Sequence, residues 1–258
     1  MTKELCIRDV MVKPISIAKS AKITEALDKM LAENIDPLIA THNASVAGTV
    51  SRKAIADKLG SKQNSGIAPT AIHVSSVVEE DFTSVYPDES INVLIPLLQH
   101  YKVVVVYDSD HKLIGQVSAG DLLKKLQPDG ALDGAMERGV TIEADERVVH
   151  LRRRMLDDNL TRFVVTENDS IIGIVTETDV AIALRKFRKA VTDRHQDHRI
   201  RNLLVKDIMS APILTVDRHA KVSTIVDLML KKNISSMPVT DKGKLVGMVT
   251  RRSLVNAL

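Results

Sequence analysis

Short apolar runs alternate with amphipathic stretches along this chain, and the alternation recurs. In Ile171-Ile172-Gly173-Ile174-Val175-Thr176-Glu177-Thr178-Asp179, a run of buried-strand character is split by a glycine and ends in Thr-x-x-Asp, which opens a helix. Leu113-Ile114-Gly115-Gln116-Val117-Ser118-Ala119-Gly120-Asp121 is a close copy. Leu245 to Ser253 and Val46 to Ala54 are looser copies. Self-similarity of this kind is the mark of a repeat protein.

The rest of the pattern falls into four units, spanning 6–60, 67–127, 131–190 and 203–258. In the first, Pro14 to Ile17 is a strand candidate. Ile23, Ala26, Leu27, Met30 and Leu31 then share one helical face, with Ser20 or Thr24 as the expected cap. Leu38 to Ala40 and Val46 to Val50 are further strands, and Ser51 begins a closing helix. The second unit repeats the order with strands at Thr83 to Val85, Val103 to Tyr107 and Leu113 to Val117. Ser90 caps its first helix, through Ile91, Leu94, Ile95 and Leu98; Pro96 inside it removes a backbone donor and predicts a kink. In the third, strands at Val140 to Ile142, Phe163 to Val165 and Ile171 to Val175 accompany a helix carrying Val148, Leu151, Met155 and Leu156. A second helix runs from Thr178 through Phe187. The fourth has a strand ending at Val216, a helix with Val222, Ile225, Val226 and Met229, and Asp241-Lys242-Gly243 turning Met237 to Val239 into a last strand. Residues 61–66 are polar and turn-rich, as a linker is. Residues 185–201 are densely charged; a solvated connecting helix is the plain reading, and an anion or nucleic-acid contact surface is the alternative.

Composition narrows the function. Hydrophobic residues make up 44% of 258, enough for cores, but aromatic residues are 2% and Trp is absent. The cores must be aliphatic, and aromatic platforms for stacking bases are not expected. A net charge of +3 lacks the strongly basic balance of a nucleic-acid binder. A single cysteine, Cys6, excludes an intrachain disulfide framework. Met1 to Leu5 carries charges and no apolar h-region, and no apolar run approaches a membrane span, so a soluble cytoplasmic protein is expected. Known nucleophile, metalloprotease and P-loop motifs are absent, which argues against an enzyme. His195 and His198 have a metal-compatible spacing without an evident third ligand, so no metal or other cofactor is expected.

Each unit resembles a cystathionine-β-synthase (CBS) domain. The landmarks are the Asp-Val-Met or Asp-Ile-Met lead-ins at Asp9 to Met11 and Asp207 to Met209, the apolar helix, a second strand near Pro-Val, and Gly-x-x-Thr/Ser-x-x-Asp. The resemblance implies an α/β fold of four β-α-β-β-α repeats. Units one and two would pair as one Bateman module and units three and four as another, and two modules would assemble into a disc, within one chain or through another copy. It also implies a cleft that binds adenine nucleotides (AMP, ADP or ATP) or S-adenosyl compounds, with the signal passed to a protein effector or through a homodimer.

The residues allow the chemistry to be weighed. The hydroxyl of Ser118 or Thr176 lies where the next helix has unpaired N–H groups, a place that suits phosphate. Asp121 and Asp179, three residues on, could accept two hydrogen bonds from a ribose diol; the competing reading is a first-turn acid that only complements the helix macrodipole. After Ser51 and Thr250 the acid is replaced by Ala54 and Ser253, so each module is expected to hold one complete site. By the resemblance, Tyr101, Lys102, Val103, Leu160, Thr161 and Arg162 flank the adenine, and Thr83 and Val140 offer backbone to its edge. Arg52 and Arg252, with Lys53 and Arg251, are candidates for neutralising phosphate, against a reading as exposed helix charge.

Overall fold

The computed structural model describes residues 5–61, 67–128, 131–190 and 202–258. These residues form four three-stranded sheets, one per repeat. In each sheet the first strand runs parallel to the second, and the second pairs antiparallel with the third. A parallel pair needs a crossover, and the apolar helix of each repeat supplies it. Repeat one consists of β1 (Ser16–Ala18), α1 (Ile23–Ala32), β2 (Leu38–His42), β3 (Ser45–Val50) and α2 (Arg52–Gly60). Repeat two has β4 (Thr83–Val85), α3 (Leu94–His100), β5 (Val103–Tyr107), β6 (Leu113–Ser118) and α4 (Ala119–Leu123). Repeat three has β7 (Thr141–Glu143), α5 (Val148–Asp157), β8 (Arg162–Glu167), β9 (Ser170–Thr176) and α6 (Glu177–Ala190). Repeat four has β10 (Val216–Asp217), α7 (Val222–Lys231), β11 (Ser236–Asp241), β12 (Lys244–Thr250) and α8 (Arg251–Val255).

Local expectations differ from the structure at three points. Neither Ser20 nor Thr24 caps α1. Its N-cap is Lys22, without a side-chain bond, and the Ile23 N–H donates instead to the Ile72 carbonyl at 3.0 Å. Pro96 does not kink a helix, because a 3₁₀ turn (Ile91–Val93) comes first and α3 starts at Leu94. Pro96 therefore stands in the first turn, where no intrahelical donor is needed. The strand expected to end at Val216 is instead the two-residue β10. Three crossover helices, α1, α5 and α7, end on an asparagine in left-handed conformation, Asn34, Asn159 and Asn233 (φ 48°, 50° and 52°). Asparagine tolerates that conformation just past a helix C-terminus.

Repeats pair through sheet edges. Val12 exchanges both backbone hydrogen bonds with Gln116 of repeat two (2.9 and 3.0 Å), and Glu79 does so with Thr49 of repeat one (both 2.8 Å). Glu137 and Met248, and Ser210 and Ile174, repeat the arrangement between repeats three and four. The glycine in each third strand is where the partner's lead-in lands. A Cβ on Gly115 would lie 3.0 Å from Met11 Sδ, one on Gly173 2.9 Å from Met209 Sδ, one on Gly247 2.4 Å from Met136 Cγ, and one on Gly48 2.3 Å from the Glu79 carbonyl oxygen. Repeats one and two therefore form one module, and three and four the other.

The hydrophobic cores run the other way. One hydrophobic cluster joins repeats one and three, including Leu27, Leu38, Ile55, Leu151, Phe163 and Leu184. The other joins repeats two and four, including Leu94, Leu98, Leu122, Ile225, Met237 and Leu254. Helix α2 packs on α6 and α4 on α8, so the modules meet through their helices.

Candidate functional site: a basic cavity shared by four repeats

A cavity of about 370 Å³ lies where the modules meet, lined by residues from all four repeats. That volume falls within the ~300–1,000 Å³ range of small-molecule pockets. Its walls are the turns between third strands and closing helices, together with the residues that follow the crossover helices. The register makes the construction explicit. Arg162 pairs with Thr176, Val103 with Ser118, and Ser236 with Thr250, so each closing-helix turn sits beside the start of its repeat's second strand.

Most of the expected site residues meet there. Ser118, Thr176 and Thr250 line the cavity, as do Tyr101, Lys102, Val140, Leu160, Thr161 and Arg162. So do Arg52 and Arg252, with Arg251 beside them. Others do not. Thr83 is spent in β4, paired with Val104; Val103 is buried in β5; Ser51 caps α2 by accepting from the Ala54 N–H at 3.1 Å. Lys53 turns to the Asn159 side chain at 2.8 Å. The Val140 carbonyl already accepts from the Val164 N–H at 2.9 Å.

Asp121 and Asp179, expected to hold ribose, do not line this cavity. Both complete capping boxes. Asp121 Oδ2 accepts from the Ser118 N–H (3.1 Å) and Oγ (2.6 Å), and its Oδ1 meets Lys124 Nζ at 2.9 Å. Asp179 Oδ2 accepts from the Thr176 N–H (2.7 Å) and Oγ1 (2.6 Å), and its Oδ1 accepts from Ser210 Oγ at 3.1 Å. Ser/Thr-x-x-Asp is itself the spacing of a capping box, in which the third residue's acid reaches back to the N-cap N–H.

The cavity's charges are unevenly matched. Lys102 Nζ donates to Asp36 Oδ2 and Glu177 Oε1, both at 2.9 Å, tying repeats one, two and three together. The side chains of Asp36 and Glu177 are only 15% and 10% exposed. Burial works to raise Asp36, but Lys102 and Arg52 outweigh it and hold its carboxyl below the usual range. Burial pushes the Glu177 carboxyl up, Lys102 offsets this only in part, and the adjacent Asp36 carboxyl, with which it shares a hydrogen bond, raises it further. Burial pulls on the Lys102 ammonium too, but the two carboxylates override it and raise its pKa. Arg52 donates to the carbonyls of Met30 (2.7 Å) and Ile35 (3.1 Å) and to Thr178 Oγ1 (3.2 Å). Arg162 differs. Its Nε donates to Thr161 Oγ1 at 3.3 Å, its Nη1 is buried with no partner, and burial lowers its pKa. Arg52 Nε, Arg251 Nε and Glu177 Oε2 are also buried and unpaired.

The CBS-domain profile matches residues 7–61, 74–128, 132–186 and 205–258. The chain belongs to the CBS-domain family. Its repeats are thus four tandem CBS domains, paired as two modules. An uncharacterized protein of Methanopyrus kandleri is 33% identical over 118 residues, covering 45% of this chain. The chain spans 56% of that relative's length. Among solved structures, a Methanocaldococcus jannaschii protein proposed as an archaeal homolog of g-AMPK has a TM-score of 0.81 at 20% identity, covering 97% of this chain and 99% of that one. An uncharacterized conserved protein of Pyrococcus horikoshii has a TM-score of 0.63, also at 20% identity, covering 97% and 98%. At these identities the likeness is one of fold.

Sequence reasoning missed Asp36 and Glu177. Asp36 occupies in repeat one the position Lys102 has in repeat two, a correspondence the strand register makes visible. Glu177 stands directly after Thr176, inside the motif itself. No helix among the described residues is long and apolar enough to cross a membrane. His195 and His198 lie outside the described residues, as does 191–201 of the charged run; within the described part, Arg185 is ion-paired with Asp28 of α1.

Proposed function

We propose that this chain is a regulatory sensor. It takes an adenine nucleotide (AMP, ADP or ATP) in the central cavity and reports occupancy to a protein partner in the cytoplasm, or through a second copy of itself. The observation that carries this reading is Arg162, a guanidinium with a buried, unpaired Nη1. The cavity around it also holds Arg52, Lys102, Arg138, Arg251 and Arg252 against Asp36, Glu137 and Glu177. A buried guanidinium N–H without an acceptor is costly, and a phosphate supplies acceptors for a planar donor fork together with charge for a lining in which cations outnumber acids. S-adenosylmethionine, from the other ligand class the family suggests, brings a sulfonium cation into a cavity already rich in positive charge. The basic lining therefore favours nucleotides over that sulfonium.

A ligand in this position touches both modules. It can shift their relation only if it binds one arrangement more tightly than another, and a ligand clamped between two bodies meets that condition. Binding rather than turnover is the proposed activity. Calorimetry of the full chain against AMP, ATP, NAD and S-adenosylmethionine tests the reading. Binding of AMP or ATP, weakened at least tenfold in Arg162→Met, is the expected result. Equal affinities in wild type and variant, or stoichiometric turnover of ATP, would overturn it.

A further inference from the structure

Side chains from three repeats meet at one corner of the cavity, and two of them are acids. Lys102 Nζ donates to Asp36 Oδ2 and to Glu177 Oε1, both at 2.9 Å. The two carboxyls also share a hydrogen bond with each other. An ionised carboxylate only accepts, so one of the pair keeps its proton. Glu177 is that one, because burial and the neighbouring Asp36 both favour its neutral form. Asp36 accepts from the Arg52 backbone N–H at 2.8 Å and faces the Arg52 guanidinium, and both favour its charge. Asp36 precedes β2 and Glu177 opens α6, so the shared proton bridges the two modules.

The pair is surrounded by charge. Arg138, Arg162, Arg251 and Arg252 stand in the cavity wall with Glu137. On the other side, Lys53 and Asp57 of α2 and Arg152 of α5 line a small void together with Glu177. The cavity wall holds no histidine among the described residues, and Tyr101 donates its hydroxyl to Asp81 at 3.1 Å, which raises its pKa. Of the charges that act on Arg162, Glu177 leads, and Arg162 Nη1 is buried without an acceptor. While Glu177 keeps its proton, that guanidinium is left for a ligand's anion. Once Glu177 ionises, the protein supplies a competing negative charge, and an entering phosphate is repelled. An anion held by Arg162 makes Glu177 harder to ionise in turn.

We propose that the Asp36–Glu177 pair is a proton site coupled to the nucleotide site, so that the cavity takes up a proton together with the nucleotide. The inference rests on the nucleotide reading above and adds to it the regulation of the site. Nucleotide affinity falls as pH climbs through the raised Glu177 value and returns on acidification.

The test is calorimetry of the full chain with AMP and with ATP, using wild type and Glu177→Gln. Titrations run from about pH 5.5 to about pH 8.5, above the ordinary carboxylate range, in buffers of differing ionisation enthalpy. A Gln amide still accepts from Lys102 and donates to the Asp36 carboxylate, so it reproduces the protonated acid. Wild type should take up protons on binding and lose about fivefold or more in affinity relative to Glu177→Gln across the range. Glu177→Gln should take up none and bind more tightly than wild type at the alkaline end. Titration of the ligand's own phosphate is common to both proteins and cancels. If Glu177 serves only to hold Lys102, its replacement weakens binding at every pH, and that result overturns the proposal. So do parallel pH profiles, or proton uptake that persists in the variant. If Glu177→Gln does not fold, Asp36→Asn, which leaves Glu177 ionised beside Lys102, should abolish the uptake, and unchanged uptake there is equally contrary. Nucleotide binding by wild type without proton uptake overturns the proposal and leaves the nucleotide reading standing. Failure of wild type to bind AMP or ATP at any of these pH values removes both.

Discussion

At the scale of single residues, the cavity holds two charge arrangements with opposite responses to mutation. Arg162 is buried in part without a carboxylate bonded to it, so replacing it with an apolar side chain removes a desolvation cost. Arg162→Met should keep or raise the melting temperature while it lowers nucleotide affinity, and a thermal scan beside the calorimetry separates the two effects. Lys102 is the counterion of two mostly buried acids. Lys102→Met strands both, at a cost of about 3–5 kcal/mol near neutral pH. The sign of the pH effect follows from the two carboxyls. Asp36, depressed in the wild type, contributes stability above its ordinary titration range and loses it as pH falls through its lowered value. Glu177, raised, contributes fully in acid and loses that contribution as pH climbs through its raised value. Without Lys102 both carboxyls move to the raised case, so acidification from about pH 7 to about pH 5 should narrow the gap between variant and wild type. Urea unfolding at the two pH values measures it, and a gap that widens on acidification would be the contrary result.

At the scale of elements, the glycine of each third strand is the seat for a neighbouring repeat's lead-in, and the four seats differ in how much they can yield. Gly48 sits at φ 138° with a backbone carbonyl 2.3 Å from a would-be Cβ, so neither strain nor clash can relax. Gly48→Ala should cost about 3 kcal/mol or more, combining backbone strain with overpacking. Gly115→Ala meets the flexible end of Met11 at 3.0 Å and should cost about 1 kcal/mol. Urea midpoints order the series, and equal losses at the two positions would contradict this account. The glycines, the strand pattern and the Ser/Thr turns were readable in the sequence because each is a local signal repeated four times. The capping bonds of Asp121 and Asp179 were legible only as an ambiguity, since one spacing serves both a sugar-binding acid and a capping box. Asp36 and Glu177 were not legible. Their importance arises because Lys102 reaches both, and that depends on which faces of two modules oppose one another. The cap of α1 was hidden for a related reason: its acceptor, the Ile72 carbonyl, comes from the approach to the next repeat.

At the scale of the whole molecule, modules are joined internally by strand edges and to each other by apolar helices. Each hydrophobic cluster draws on both modules, so the chain should unfold in one transition. A fragment of residues 1–128 would uncover the helical faces of α2 and α4. It should bury them against a second copy and sediment as a dimer; a stable folded monomer would contradict this view of the cores. The reciprocal seating of lead-ins has a last consequence. A lone repeat would leave its third strand with a bare rim and its own leading segment with nowhere to dock, an invitation to aggregation. An architecture of this kind can be lengthened by duplication only in twos, and deletion of any one repeat should harm its immediate neighbour more than the opposite half.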